Sequence, residues 1–336
     1  MRSFDLQAVR RARFSYIISA STLVTLFVIF HLNYFVVEND IVNAVASTPS
    51  FFPERLELSL NPTPPVELVV ASTSQQNTSW YSKFFPDWGS NIFTVDDQFS
   101  PLKIPRNKGH EAMVYLTYII DRYESLPENI LFLHAERFQW HNDNPNYDGV
   151  LLLRNFQFPY LQQEGYVNLR CVWTLGCPAA IHPLKDELVE GKVNKQAMGA
   201  VFRQAFQELL PEHQVPPDVG VSCCAQFAVT RDTIRRRPRD DYLRFREWLI
   251  KTPFPDELSG RFFEHSWHII FGKEPVHCPS AQDCYCKLYG MCNLQDCTVR
   301  GCNSYYVLPP YSTLPKDWPR IGWEGEERPY NDIAPP

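Results

Sequence analysis

Residues 130–143 read ILFLHAERFQWHND, and the fold turns on this stretch. Ile130, Leu131, Phe132 and Leu133 follow the turn-forming Pro127-Glu128-Asn129 and predict a short buried strand. Polar and aromatic residues crowd in directly afterwards: His134, Glu136, Arg137, Trp140, His141, Asn142 and Asp143. In an open α/β sheet, ligands bind where strands release their C-terminal loops, so this loop is the expected site. A strand continuing through residue 136 would put His134 and Glu136 on one face, because strand side chains alternate.

Upstream, residues 66–71 (VELVVA) and 91–95 (NIFTV) predict two strands, with residues 81–88 packed between them as helix or loop. Within residues 110–126, Met113, Leu116, Ile119, Ile120 and Tyr123 recur at helical spacing and lead straight into the 130 strand. Strand, helix and strand thus alternate as in an α/β domain, with a mixed, mostly parallel sheet flanked by helices. Downstream, residues 147–165 predict an interrupted helix, 166–173 a strand and 193–210 a helix stopped by prolines. Residues 219–229 (VGVSCCAQFAV) predict one long central strand buried on both faces. Residues 230–251 return to helix, broken at Pro238. Residues 259–271 (SGRFFEHSWHIIF) predict a last helix, capped by Ser259 and ended by Gly272, on which Glu264 and His268 share a face.

With 336 residues, 44% hydrophobic, the chain can bury a substantial core and is not disordered throughout. Of the net charge of -6, residues 1–13 hold four arginines against Asp5, or +3, leaving -9 for the rest. Nucleic acid is excluded as an expected partner, since phosphate binding needs a basic field. Residues 14–37 carry no charge and exceed the ~20 residues that span a hydrocarbon core. The arginines before them and Glu38 and Asp40 after them predict a single-pass type II signal anchor. A cleaved signal peptide, the alternative, has a shorter apolar core of ~7–15 residues.

The expected organisation is a cytosolic tail (1–13), anchor (14–37), proline-rich stem (38–65), α/β domain (66–275) and disulfide-rich segment with tail (276–336). Its place would be the Golgi or secretory-pathway lumen, or the cell surface. Asn77-Thr78-Ser79 is a glycosylation sequon that fits a lumenal loop. Cys278, Cys284, Cys286, Cys292, Cys297 and Cys302 lack paired C-x₂-C spacing, so disulfides are the expectation rather than zinc. Fifteen connectivities among the six are open. Cys223 and Cys224 are expected to be buried or paired with Cys171 or Cys177.

Five blocks carry a resemblance: residues 111–121 (EAMVYLTYIID), 132–135 (FLHA), 140–143 (WHND), 223–229 (CCAQFAV) and 267–272 (WHIIFG). In that order they resemble a fungal family of membrane-anchored proteins known as domain of unknown function 3431. A broader pattern is similar to glycosyltransferases of the nucleotide-sugar-binding α/β type (GT-A-like). It runs from a helix ending in Tyr-x-x-Leu-Pro, through a strand with a His-bearing loop, to a Gln-Phe-Ala-Val strand and a Glu-x-x-Trp-His-x-x-Phe helix. That resemblance implies sugar transfer from a nucleotide donor to a glycan or glycoprotein. Such enzymes usually carry Asp-x-Asp to hold a divalent metal on the diphosphate, where this chain has His134-Ala135-Glu136.

The site expectations combine these readings. Glu264 or Glu136 would act as base toward an acceptor hydroxyl. His134, Glu136 and His268 would be ligands for Mn²⁺ or Mg²⁺. His134, Arg137, Trp140, His141, Asn142, Asp143, Gln226 and Trp267 would contact ligand, Trp140 as a platform for a sugar ring. Each has a structural alternative, as a satisfied core histidine, an Asx turn before Pro145, or a buried amide held by backbone. Arg235-Arg236-Arg237 and the helix start at Lys108-Gly109 are weaker anion candidates. Two other function classes are a non-catalytic carbohydrate-binding protein and a metal-dependent hydrolase built on His134, Glu136, His141 and His268.

Overall fold

A computed structural model describes residues 66–144, 146–185, 195–295 and 297–302. The expected cytosolic tail, anchor, stem and C-terminal tail lie outside the described residues. No helix among the described residues is long and apolar enough to cross a membrane. In chain order the first elements are β1 (Val66–Ser72), α1 (Ser79–Phe84), β2 (Gly89–Thr94), α2 (Glu111–Arg122), β3 (Asn129–His134), α3 (Gly149–Arg154), α4 (Phe158–Glu164) and β4 (Tyr166–Asn168). They are followed by α5 (Lys195–Leu209), β5 (Gly220–Val221), β6 (Phe227–Thr230), α6 (Arg231–Arg235), α7 (Arg239–Lys251), α8 (Asp256–Glu264), α9 (Trp267–Ile270), β7 (Val276–His277) and α10 (Ala281–Tyr289).

The main sheet has the order β2-β1-β3-β6-β4. β1 pairs in parallel with β2 and β3, while β6 runs antiparallel to both β3 and β4. The α/β class and the mixed sheet therefore stand as expected. Alternation within the strands makes two cores. Val69, Ile130, Phe132, Phe227 and Val229 face one cluster with Met113, Tyr115, Phe202 and Phe263 from the helices. Leu68, Val70, Leu131, Leu133 and Ala228 face the other, against Trp80, Leu153 and Tyr285. A central strand covered on both faces reads as a continuous apolar run, which is why residues 130–133 are legible.

Two expected elements are broken. The run 219–229 is not one strand: β5 pairs with β7 in a separate small sheet, and only β6 enters the main one. Between them the backbone turns through positive φ at Cys224 (92°) and Ala225 (45°), a left-handed excursion that a ladder cannot include. The last helix also differs. It begins at Asp256 behind Pro255, with Ser259 inside it donating from Oγ to Pro255 O at 3.1 Å. It ends at Glu264, and α9 starts anew at Trp267. Ser266 Oγ donates back to Phe262 O at 2.5 Å, so Glu264 and His268 do not share a helical face.

The disulfides correct the cysteine reading. Cys286–Cys292 and Cys297–Cys302 close local loops, but Cys284 pairs with Cys171 and Cys278 with Cys177. The C-terminal segment is thus stapled to the α/β domain, with α10 lying on the second core. Cys223 and Cys224 pair with each other. Spacing alone cannot show which cysteines a long-range fold brings within the ~5.5 Å Cα separation a disulfide needs.

Candidate functional site

A groove runs across the C-terminal ends of β1 and β3. Two cavities of about 400 and 250 Å³ make it up and share His110, Glu111, His134 and His141. The larger is also lined by Ser72, Thr73, Gln76, Asn107 and Asp256. The smaller is lined by Cys224, Ala225, Glu257, Arg261 and Glu264. This is the edge at which open α/β sheets bind ligands.

Local folding explains each position. His134 is the last residue of β3, paired in register with Ala71. His110 and Glu111 open α2 after a left-handed turn, with φ of 70° at Gly109 and 52° at His110. Gly260 lets α8 approach that turn, since a Cβ there would sit 2.7 Å from His110 Cδ2 and 3.0 Å from Gly109 O. Glu264, at the end of α8, accepts the Cys224 amide on Oε1 at 2.8 Å. Among the described residues its other oxygen has no hydrogen-bond partner.

The histidines form a directed chain. Gln139 Nε2 donates to Glu136 O at 2.9 Å, which turns Gln139 Oε1 toward His141 Nδ1 at 3.3 Å. An amide oxygen only accepts, so His141 carries its hydrogen on Nδ1. The same Nδ1 lies 3.1 Å from His134 Nδ1, which then accepts and holds its own hydrogen on Nε2, 3.6 Å from Glu111 Oε1. Burial pushes the His141 pKa well below the usual imidazole range, and the neighbouring His134 ring and the Arg170 charge add to this. At neutral pH, His141 is therefore neutral, with a lone pair on Nε2.

A family model described as "Protein of unknown function (DUF3431)" matches residues 68–287, about two-thirds of the chain. The chain belongs to this family. The DUF3431 match begins in β1 and ends in α10, and so takes in every groove residue and both staples to the C-terminal segment. Neither the curated proteins nor the solved structures yield a match.

Of the expected site residues, this DUF3431 groove gathers His134, His141 and Glu264. The others go elsewhere. Arg137 makes a two-pronged pair with Asp148, Nε to Oδ1 at 2.9 Å and Nη2 to Oδ2 at 2.8 Å, with both side chains buried. Asn142 Nδ2 donates to Arg137 O at 2.7 Å and Tyr147 O at 2.9 Å. Gln226 accepts from the His134 amide at 3.1 Å and donates to His141 O and Asn142 Oδ1, both at 3.2 Å. It is a backbone clamp behind the groove. Asp143 accepts from the Cys171 amide at 2.6 Å and from Tyr285 Oη at 2.8 Å. Burial pushes its pKa up, opposed by the Arg170 charge and these donors.

Trp140 lies under the Arg170 guanidinium, 5.3 Å from its ring centre, and packs on the second core. Trp267 is buried in the first core, stacked on Phe271. Glu136 is half-buried, which raises its pKa, and does not line the groove. His268 donates from Nε2 to Pro275 O at 3.0 Å, and burial pushes its pKa down to about 3.

The expected metal set of His134, Glu136 and His268 is thus not assembled. Among the described residues, no group of three or more His, Cys, Asp or Glu side chains is placed to hold an ion. These residues do not fit a resident Mn²⁺ or Mg²⁺. The sequence reading missed His110, Glu111, Asp256, Glu257 and Arg261. Its one signal toward them was the glycine-led start of the 110 helix, which faces the β3 loop across the sheet edge.

Proposed function

We propose that the groove binds a sugar and that the protein transfers it from a nucleotide donor to a hydroxyl of a glycan or glycoprotein, with Glu264 as the general base. One observation carries this reading: Glu264, with one carboxylate oxygen held by the Cys224 amide, shares a groove at the lip of the sheet with the His134–His141 pair. A carboxylate fixed on one oxygen and open on the other suits proton removal from an alcohol. The neutral His141 and the hydroxyls and amides of Ser72, Thr73, Gln76 and Asn107 suit a ligand rich in hydroxyls. The sheet order, with one reversed strand beside the central parallel ones, supports the likeness to glycosyltransferases. The exposed Asn77 side chain is consistent with a sequon open to glycosylation, and membrane anchoring in the secretory pathway belongs to the same proposal.

The groove's charge favours one alternative. Glu111, Asp256, Glu257 and Glu264 face it against Arg261, a lining that repels a bare diphosphate. A protein that only binds neutral carbohydrate would carry the same surface. The two readings separate in one experiment. Under the transferase reading alone, uridine or guanosine diphosphate, tested with and without Mn²⁺, should raise the melting temperature of the purified protein in at least one of the two conditions. Glu264→Gln should keep that shift while losing transfer to an acceptor by about 10²-fold or more. Stabilisation by free oligosaccharides, with none by any nucleotide, would leave the binding protein as the function.

A further inference from the structure

The Cys223–Cys224 bond joins adjacent residues on the wall of the groove, where Cys224 and Ala225 meet the smaller cavity. Its surroundings differ from those of Cys171–Cys284, which packs within the second core. Arg170 Nη1 lies 2.9 Å from both sulfurs. The backbone at Cys224 and Ala225 is held at positive φ, a conformation that costs an alanine or cysteine and persists only while its surroundings impose it. The Cys224 amide donates to Glu264, and two residues on, Gln226 clamps the backbone of His134 and His141.

We propose that Cys223–Cys224 is a reversible thiol-exchange site that sets the shape of the groove through the Cys224 amide and Glu264. The proposal rests on the groove as the functional site, and not on what the groove binds. A dithiol reductant, deprotonated at one sulfur, attacks Cys224 Sγ from the groove. A mixed disulfide forms, the Cys223–Cys224 bond breaks, and the electron pair leaves on Cys223 as a thiolate beside the Arg170 guanidinium. The second thiol of the reductant then displaces Cys224 and departs as a cyclic disulfide. Two electrons and one proton, that of the reductant's second thiol, have passed to the protein, so Cys224 ends as a thiol and Cys223 as a thiolate beside Arg170. A neighbouring cation stabilises the departing thiolate and so favours opening. Once the ring is open, the backbone at 224–225 relaxes toward ordinary φ, and the amide that fixes Glu264 moves with it.

The test uses the full chain, titrated with dithiothreitol, alkylated, and mapped by peptide mass spectrometry alongside hydrogen exchange. Cys223 and Cys224 should label at a dithiothreitol concentration about tenfold below that which labels Cys171 or Cys284, and should re-close on removal of the reductant. With Cys171–Cys284 still intact, the amides of 222–226 should exchange about tenfold faster, an expected response to local opening. Arg170→Gln should raise the dithiothreitol needed at this pair by several-fold, since the Cys223 thiolate loses its cation. The C223S/C224S variant, if folded, should show the fast exchange without reductant; if it does not fold, the titration of the natural chain decides. Labelling of Cys171 and Cys284 before Cys223 and Cys224, or unchanged exchange at 222–226 after opening, would overturn the proposal. No nucleotide or sugar enters these readouts, so a failure of the glycosyltransferase reading leaves them interpretable.

Discussion

The segment leaving β3 has two sides, and they behave differently. On the groove side, His134 and His141 meet at one nitrogen each and face a cavity with Glu111 and Glu264. On the far side, Arg137, Asn142, Asp143 and Asp148 are buried, and each is engaged by specific partners. Both sets are equally polar in sequence. The difference teaches that a buried polar side chain whose partners are all protein groups is holding the loop. One that faces a cavity with bonding capacity to spare is available for chemistry.

The sharpest way to break this contrast is to cut the far side. Arg137→Ala would leave Asp148 buried without its partner and should cost about 3–5 kcal/mol in urea unfolding. A loss below about 1 kcal/mol would mean that the pair behaves like a surface ion pair, and the distinction would fail. Two histidines away from the groove, His268 and His277, give a second test. Burial holds His268 near 3 and His277 near 4, below the ~6.5 of an unfolded histidine. Their contribution is whole above pH 6.5 and is lost as pH falls, because the unfolded chain takes up protons first. Between pH 6.5 and 4.5 each should remove about 2–3 kcal/mol of stability. His268→Gln should flatten the slope of stability against pH; an unchanged slope would place that histidine in solvent.

Smaller effects sharpen the comparison. Asn142→Ala removes a donor shared by two buried carbonyls and an acceptor for Gln226. It should cost about 1–3 kcal/mol, read as a lowered melting temperature. Glu264→Gln, on the groove side, should change stability by under about 1 kcal/mol while lowering transfer by about 10²-fold or more. A large loss of stability there would move Glu264 to the structural set.

The fold was legible where the pattern was long or continuous. The apolar run 130–133, the helical spacing from Met113 to Tyr123, and the Pro238 break all appear as read. The errors lie where a local event interrupts an apolar run. The left-handed turn at Cys224–Ala225 and the Ser266 hydroxyl returning to Phe262 both sit inside stretches whose apolar residues resume on the far side of the break, and periodicity cannot register them. For the site, the sequence marked the right loop but could not sort it. Whether a side chain at 134, 137 or 141 turns to the groove or to the core depends on where β3 ends, and it ends at His134, two residues short of the assumed extension.

By itself, the sequence determined that a buried strand would release a polar loop at the edge of an α/β sheet, because the apolar run and the residues after it are local facts. Only the tertiary structure decided which of those residues face a common cavity, which cysteines meet, and that Glu264 joins His134 while His268 does not. Those outcomes depend on separations between residues far apart in the chain. They are set by how helices pack on the two faces of the sheet and by Gly260 admitting α8 against the start of α2.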